Sequence, residues 1–307
     1  MQPFLTIFTA PKPFTDPHIA MIQRNAIRSW QHIGEDVDVL LIGDEEGTTE
    51  VAVDLGVQHL PDVECNEMGT PLVSSIFELA RANSHAPVLA YVNADILVMS
   101  DFVESAKLVA SQVKDFLVIG QRWDLDVHSE LDYDQNWEVR LRENVKVNGS
   151  LHPPAGSDYF IFARHLFIDM PQFAIGRAGW DNWAIFCGVS SRWSVIAATD
   201  TIMIVHQTHE YAHLPGGQIH YDLEESRKNA ALGGGLSNMY TVLEAKSGIV
   251  DGKVQPVGLS LTRLLRRIEL RLITEEQQGL RWSTLRRVRR LRRRLTGSMR
   301  EESLLRL

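Results

Sequence analysis

The chain has 307 residues, 44% hydrophobic and 23% charged, a composition that excludes a disordered chain or a fibrous repeat and suffices for a full core. No run approaches the roughly 18 apolar residues of a spanning helix, and MQPFLTIFTAPKPF lacks a basic stretch before its apolar residues, so neither a transmembrane segment nor a signal peptide is expected. The net charge of −8 is uneven: residues 260–307 hold 14 of the 31 basic residues beside 5 acidic ones, so an acidic body, a poor partner for nucleic acid, carries a basic tail.

In chain order, Phe4–Ala10, Val37–Asp44, Val57–Val63, Val88–Leu97 and Phe116–Gln121 read as strands, most of them continuously apolar as in a sheet buried on both faces. Strand character returns at Tyr159–Ala163 and Val195–Val205. Helices fall between them. Asp16 caps one, with Pro17 at its first position and Ile19, Ile22, Ala26, Ile27 and Trp30 along one face; others open at Pro71 and near Asp101, and Trp180–Cys187 forms a fourth. This alternation predicts an α/β fold, a mostly parallel central sheet flanked by helices. The polar, aromatic stretch 124–157 reads either as an insertion on the acceptor side or as a surface helix. A boundary near Gly258 separates a domain of residues 1–258 from a basic amphipathic helical tail, 259–307. Cys65 and Cys187 are too few for a disulfide framework, which suits a reducing, cytoplasmic setting.

Neither G-x-G-x-x-G after the first strand nor G-x-x-x-x-G-K-[ST] is present, which removes the dinucleotide and P-loop readings. The chemistry concentrates elsewhere. Asn93 and Asp95 close an apolar strand, two apart and on one side, where ligands of open α/β sheets bind; together they suit a hard divalent cation, or Asp95 caps the next helix. His206, His209 and His213 follow a strand, with His220 close behind. They suit a metal shell, acid–base chemistry or a zinc-dependent hydrolase, against the plainer reading of loop histidines. Asp181 stands between Trp180 and Trp183: a base beside two sugar-stacking faces, or an N-cap between core tryptophans. Lys12 and Asp44, after the first two strands, suit a pyrophosphate and a nucleobase. In the tail, Leu261, Leu264, Leu265, Ile268 and Leu272 lie beside Arg263, Arg266, Arg267 and Arg271. That mix is expected on an anionic membrane surface, the alternatives being the acidic body or a second subunit.

TAPKPFTDPHIAMIQRNAIRSW, YVNADILVMSDF, GSDYFIF, IGRAGWDNW and HQTHEY resemble blocks of a bacterial and plant glycosyltransferase-like group, and the whole of residues 4–245 resembles the GT-A fold of nucleotide-sugar glycosyltransferases. The resemblance implies transfer of a sugar from a nucleoside diphosphate sugar, UDP first, to a hydroxyl of a sugar, lipid-linked or small-molecule acceptor. It implies Mn2+ or Mg2+ on Asp95 and His206, with Asn93 where the motif's first Asp stands. It further implies donor contacts from Thr9, Ala10, Lys12, Asp44, Gly69, Thr70, Asn93, Ala94, Asp158 and Arg177, acceptor contacts from Trp180 and Trp183, and Asp181 as the base of an inverting reaction. A catalytically silent nucleotide-sugar binder is a third reading, and the tail would place the protein peripherally on the inner face of the membrane.

Overall fold

A computed structural model describes residues 2–209, 224–274 and 278–296. Its strands are, in chain order, β1 (Leu5–Thr9), β2 (Val37–Ile42), β3 (Gln58–Leu60), β4 (Val88–Val92), β5 (Ile96–Leu97), β6 (Phe116–Ile119), β7 (Arg122–Leu125), β8 (Ser150–Leu151), β9 (Tyr159–Ala163), β10 (Ser194–Ala197), β11 (Ile204–Gln207), β12 (Ser247–Val250) and β13 (Lys253–Pro256). Nine form one sheet in the order β13-β12-β10-β6-β9-β4-β1-β2-β3. Its pairs are parallel except that β9 runs against both β4 and β6, and β13 against β12. The helices are α1 (Pro17–Gln31), α2 (Thr48–Leu55), α3 (Val73–Asn83), α4 (Ser100–Gln112), α5 (Trp137–Asn148), α6 (Trp180–Ser190), α7 (Glu224–Leu232), α8 (Leu261–Leu272) and α9 (Gly279–Leu295). The expected mostly parallel sheet with flanking helices is therefore present, and α2 and α7 add to the expected helices.

The central strands are apolar because both faces are covered: β1, β4 and β9 are buried along their whole length. Phe77 of α3 meets Phe8 of β1 edge-on at 5.0 Å between centroids and stacks on Phe162 of β9 at 5.5 Å and on Tyr91 of β4 at 5.8 Å, which ties three strands to one helix. Asp16 caps α1 as expected, accepting from the backbone N–H groups of His18 and Ile19. Trp30 of the same helix is fully buried and donates its indole N–H to the Ile96 carbonyl at 2.9 Å.

Two runs read as single strands are each divided. Residues 88–97 break after Val92, where the Asn93 N–H bonds the Asp158 carbonyl and the Ile96 N–H turns back to the Asn93 carbonyl. The chain thus leaves the large sheet and enters a second one, of order β5-β11-β7-β8. Residues 195–205 divide likewise between β10 of the first sheet and β11 of the second. Stretch 124–157 builds this small sheet: β7 and β8 pair within it, and α5 closes a separate core of Trp137, Leu141 and Val145 with Leu97, Val205 and Leu125.

The tail forms a helical pair, α8 and α9, after the β12–β13 hairpin. Its arginines are partly turned inward. Arg263 donates to the Leu243 and Ala245 carbonyls, Arg266 is buried against Glu244 and Glu269, and Leu265 and Leu285 are buried. Leu261, Leu264 and Ile268 are exposed. The alternative of packing on the acidic body thus accounts for part of the stripe. No described helix is long and apolar enough to cross a membrane.

Candidate functional site

At the carboxyl edge of β1 and β4 lies a cleft of about 440 Å³. Open α/β sheets bind ligands at this edge because strand ends and helix starts leave polar groups there. β9 runs antiparallel, so its beginning rather than its end reaches this edge, and Asp158 stands beside Asn93. The Asn93 amide donates to Asp158 Oδ1 at 2.9 Å, and Arg122 donates to the same oxygen at 2.9 Å. Asn93 therefore orients a carboxylate.

Asp95 gathers the second cluster. His209 Nε2 lies 3.1 Å, Lys12 Nζ 3.6 Å and His206 Nε2 3.9 Å from Asp95 Oδ2. The small sheet explains this meeting: the register pairs His206 with Ile96 on one side and with Asp124 on the other. His206 Nδ1 is 3.1 Å from Asp124 Oδ1. Since a carboxylate only accepts, Nδ1 donates in this contact, and the opposite ring nitrogen, Nε2, faces Asp95. Burial alone would raise the Asp95 carboxyl, but the His209 hydrogen bond and the charges of His206 and Lys12 outweigh it and hold the group well below the usual carboxylate range. Asp124 is likewise held low against its burial, by His152, His206 and Arg122.

Asp95, His206 and His209 place ligand atoms within 4.8 Å of one another, a group able to hold a metal ion. Asp95 Oδ1 is buried with no hydrogen-bond partner, an orphaned acceptor of the kind a cation satisfies. One carboxylate and two imidazoles suit a borderline divalent ion such as Mn2+ at least as well as Mg2+, which favours oxygen donors alone. The donor set therefore fits a divalent metal. His209 replaces Asn93 in the expected set, and Asp95 does not cap α4, whose N-cap is Met99. His213 and His220 lie outside the described residues.

Asp181, also lining the cleft, occupies the first turn of α6. Burial, aided by the charge of Asp158 and opposed by backbone N–H groups at the start of α6, pushes its carboxyl up to about 6. It is thus poised to exchange a proton near neutral pH. Tyr91 lies on the same cleft, and Asp95, Asp158 and Asp181 all bear on its phenol, which burial already holds protonated.

Ala10, Lys12, Gly69, Thr70, Asn93, Ala94, Asp158, Arg177, Trp180 and Asp181 line the cleft with Asp95 and His206. Three expected residues do not. Thr9 is fully buried at the end of β1. Gly43, at φ 113°, turns the chain after β2 so that Asp44 is exposed and Glu45 reaches the cleft instead. Trp183 packs on Phe173, 5.1 Å between centroids. Trp180 is 5% exposed and lies against Tyr91 and Phe160, so it forms wall rather than an open stacking face. Arg177 is held by Glu225 of α7 at 2.6 Å.

Sequence reasoning missed the residues that fix these positions. Gln23, buried in α1, accepts from the Lys12 N–H at 2.7 Å and donates to the Lys12 carbonyl at 2.9 Å. Gln207, fully buried, donates to the Ile22 carbonyl and accepts from Asn25. A polar pair, Gln23 and Asn25, between the apolar positions Ile22 and Ala26 was the available signal. Asp124 and Gly156 gave none.

No family model matches the sequence, and no curated protein does. Among solved structures, the chain is similar to glucosyl-3-phosphoglycerate synthase from Mycobacterium tuberculosis in complex with Mn2+, UDP and glucosyl-3-phosphoglycerate, at 15% identity over 85% of this chain and 88% of that one, TM-score 0.47. It is also similar to S. aureus TarS 1–349 in complex with UDP-GlcNAc, at 11% identity over 78% and 72% of the two chains, TM-score 0.47.

Proposed function

We propose that the chain is a metal-dependent nucleotide-sugar glycosyltransferase of the GT-A kind, with a UDP-sugar as the first donor to test. The observation that carries this reading is one cleft at the carboxyl edge of the sheet with two chemistries. Asp95, His206 and His209 with Lys12 line it together with Asp181, a carboxyl raised to about 6. A cation-binding group next to a lysine suits a diphosphate, and a buried carboxylate that titrates near neutrality suits a general base.

Asp95, His206 and His209 would hold Mn2+ or Mg2+, which supplies Lewis-acid neutralisation of charge on the departing diphosphate. Lys12, its backbone pinned by Gln23, adds a point charge to the same leaving group. Asp181 removes the proton of the acceptor hydroxyl, whose oxygen bonds the anomeric carbon as the bond to the diphosphate oxygen breaks. Direct displacement inverts that carbon. Glu45, Gly69 and Thr70 stand where the nucleoside end of the donor would lie.

Calorimetric titration with UDP, GDP, dTDP, CMP and ADP, with and without Mn2+, tests the reading. One diphosphate is expected to bind only with metal, and Asp95→Ala is expected to abolish it. Binding by none would sink the proposal. The carboxylate and two imidazoles also suit a zinc hydrolase; tightly held stoichiometric zinc with no nucleotide binding would favour that reading instead.

A further inference from the structure

A second cavity, of about 300 Å³, opens on the far side of Asp181. It shares Arg122, Ser157, Asp158, Ala178 and Asp181 with the first, so the raised carboxyl stands between the two. We infer that this second cavity is the acceptor subsite and that it takes an acceptor bearing a phosphate or carboxylate group, recognised by arginines of the C-terminal helices α8 and α9. The inference rests on the transferase reading and names the acceptor class for it.

The far wall carries the argument. Arg266, Arg289 and Arg292 line it, and all three converge on one carboxylate, Glu269, which is 1% exposed. Arg266 is shared with Glu244 at 3.0 Å. Arg289 and Arg292 reach Glu269 through Nε alone, each at 2.8 Å, which leaves their terminal nitrogens for another acceptor. Glu269 and Glu244 together neutralise two of the three charges. Three guanidiniums beside a cavity leave excess positive charge, and the planar fork of arginine matches the oxygens of a phosphate or carboxylate. Arg293 adds to the same wall. Leu236, Met239 and Ile273 supply an apolar side for the rest of the molecule.

The anion has two sources. It belongs either to a soluble phosphorylated or carboxylated molecule or to a lipid headgroup, and exposed Leu261, Leu264 and Ile268 on α8 make the second worth a separate arm.

The full chain is titrated with inorganic phosphate, and in parallel with vesicles of phosphatidylcholine alone or mixed with phosphatidylglycerol. The same titrations are made on Arg289→Gln/Arg292→Gln and on Arg292→Lys. The double variant retains Arg266 against Glu269, and its thermal transition reports whether it is folded. Phosphate binding weakened by about tenfold or more in the double variant supports the inference and assigns a soluble acceptor. Vesicle binding that needs phosphatidylglycerol and the same two arginines supports it and assigns a lipid-linked one. Arg292→Lys, which keeps the charge and loses the fork, is expected to fall between. Binding of neither probe, or binding that survives loss of both arginines, overturns it. Nucleotide binding by the unmodified chain is measured separately, so a failed acceptor site is distinguishable from a failed transferase reading.

Discussion

Gly156 stands against Asp181 so closely that a Cβ on the glycine would lie 1.7 Å from Asp181 Oδ2. The backbone of the loop before β9 thus forms the seat of the carboxylate, and only a residue without a side chain leaves the acid in place. Gly156→Ala is expected to displace the carboxylate and lower kcat by about 100-fold, the cost of a misplacement near 1 Å. Nucleotide titration alongside turnover checks it: unchanged turnover would show that the seat does not matter.

The raised carboxyl of Asp181 has two consequences for pH. As a base it must be ionised, so kcat/KM is expected to fall as pH drops through about 6. For stability the sign is opposite. A folded value of about 6 against 3.8 unfolded favours the protonated fold, so this contribution is full below 3.8 and is lost as pH rises through 6. Asp181→Asn removes a penalty of about 3 kcal/mol above pH 7. The variant is therefore expected to melt higher than the parent at pH 8, to match it near pH 3.5, and to be inactive; equal melting at pH 8 would refute the burial argument.

Asp124 holds His206 through Nδ1 at 3.1 Å. Its loss frees the ring and the choice of tautomer. Asp124→Asn is expected to weaken Mn2+ binding about 10- to 100-fold without removing any ligand, which titration with the metal alone reads directly.

Glu269 is the carboxylate on which three arginines meet, and those charges hold it below its ordinary value despite burial. Its contribution is therefore present above the unfolded value of 4.5 and lost as pH falls below it. Glu269→Ala leaves buried guanidiniums without their partner and is expected to cost about 3–5 kcal/mol at pH 7. Denaturant unfolding of parent and variant at pH 7 and pH 4 checks it: the difference is expected to narrow at the lower pH.

Much of the fold was legible because its signals are local. Buried parallel strands are written as apolar runs, and Asp16 with Pro17 announces α1 by a backbone need that two residues satisfy. The run 88–97 was misread as one strand because the turn at Asn93–Asp95 is closed by the Asp158 carbonyl, some 65 residues away in sequence. Asp44 and Trp183 were assigned to the cleft because adjacency in sequence was taken for direction in space; a turn at Gly43 and the face of α6 decided otherwise.

By itself the sequence determined the α/β alternation, the acidic body with its basic tail, and four polar groups that come to line one cleft: Asp95, His206, Asp181 and Lys12. Only the tertiary structure decided who meets whom. His209 rather than Asn93 joins Asp95 because a four-stranded sheet sets β11 between β5 and β7, and register carries no mark in the residues it aligns. The same holds for the tail, whose arginines read alike along the helix until packing turned Arg266 and Arg292 inward and left Arg267 and Arg271 in solvent. A charge declares its sign in sequence; its partner is a matter of distance, which folding alone supplies.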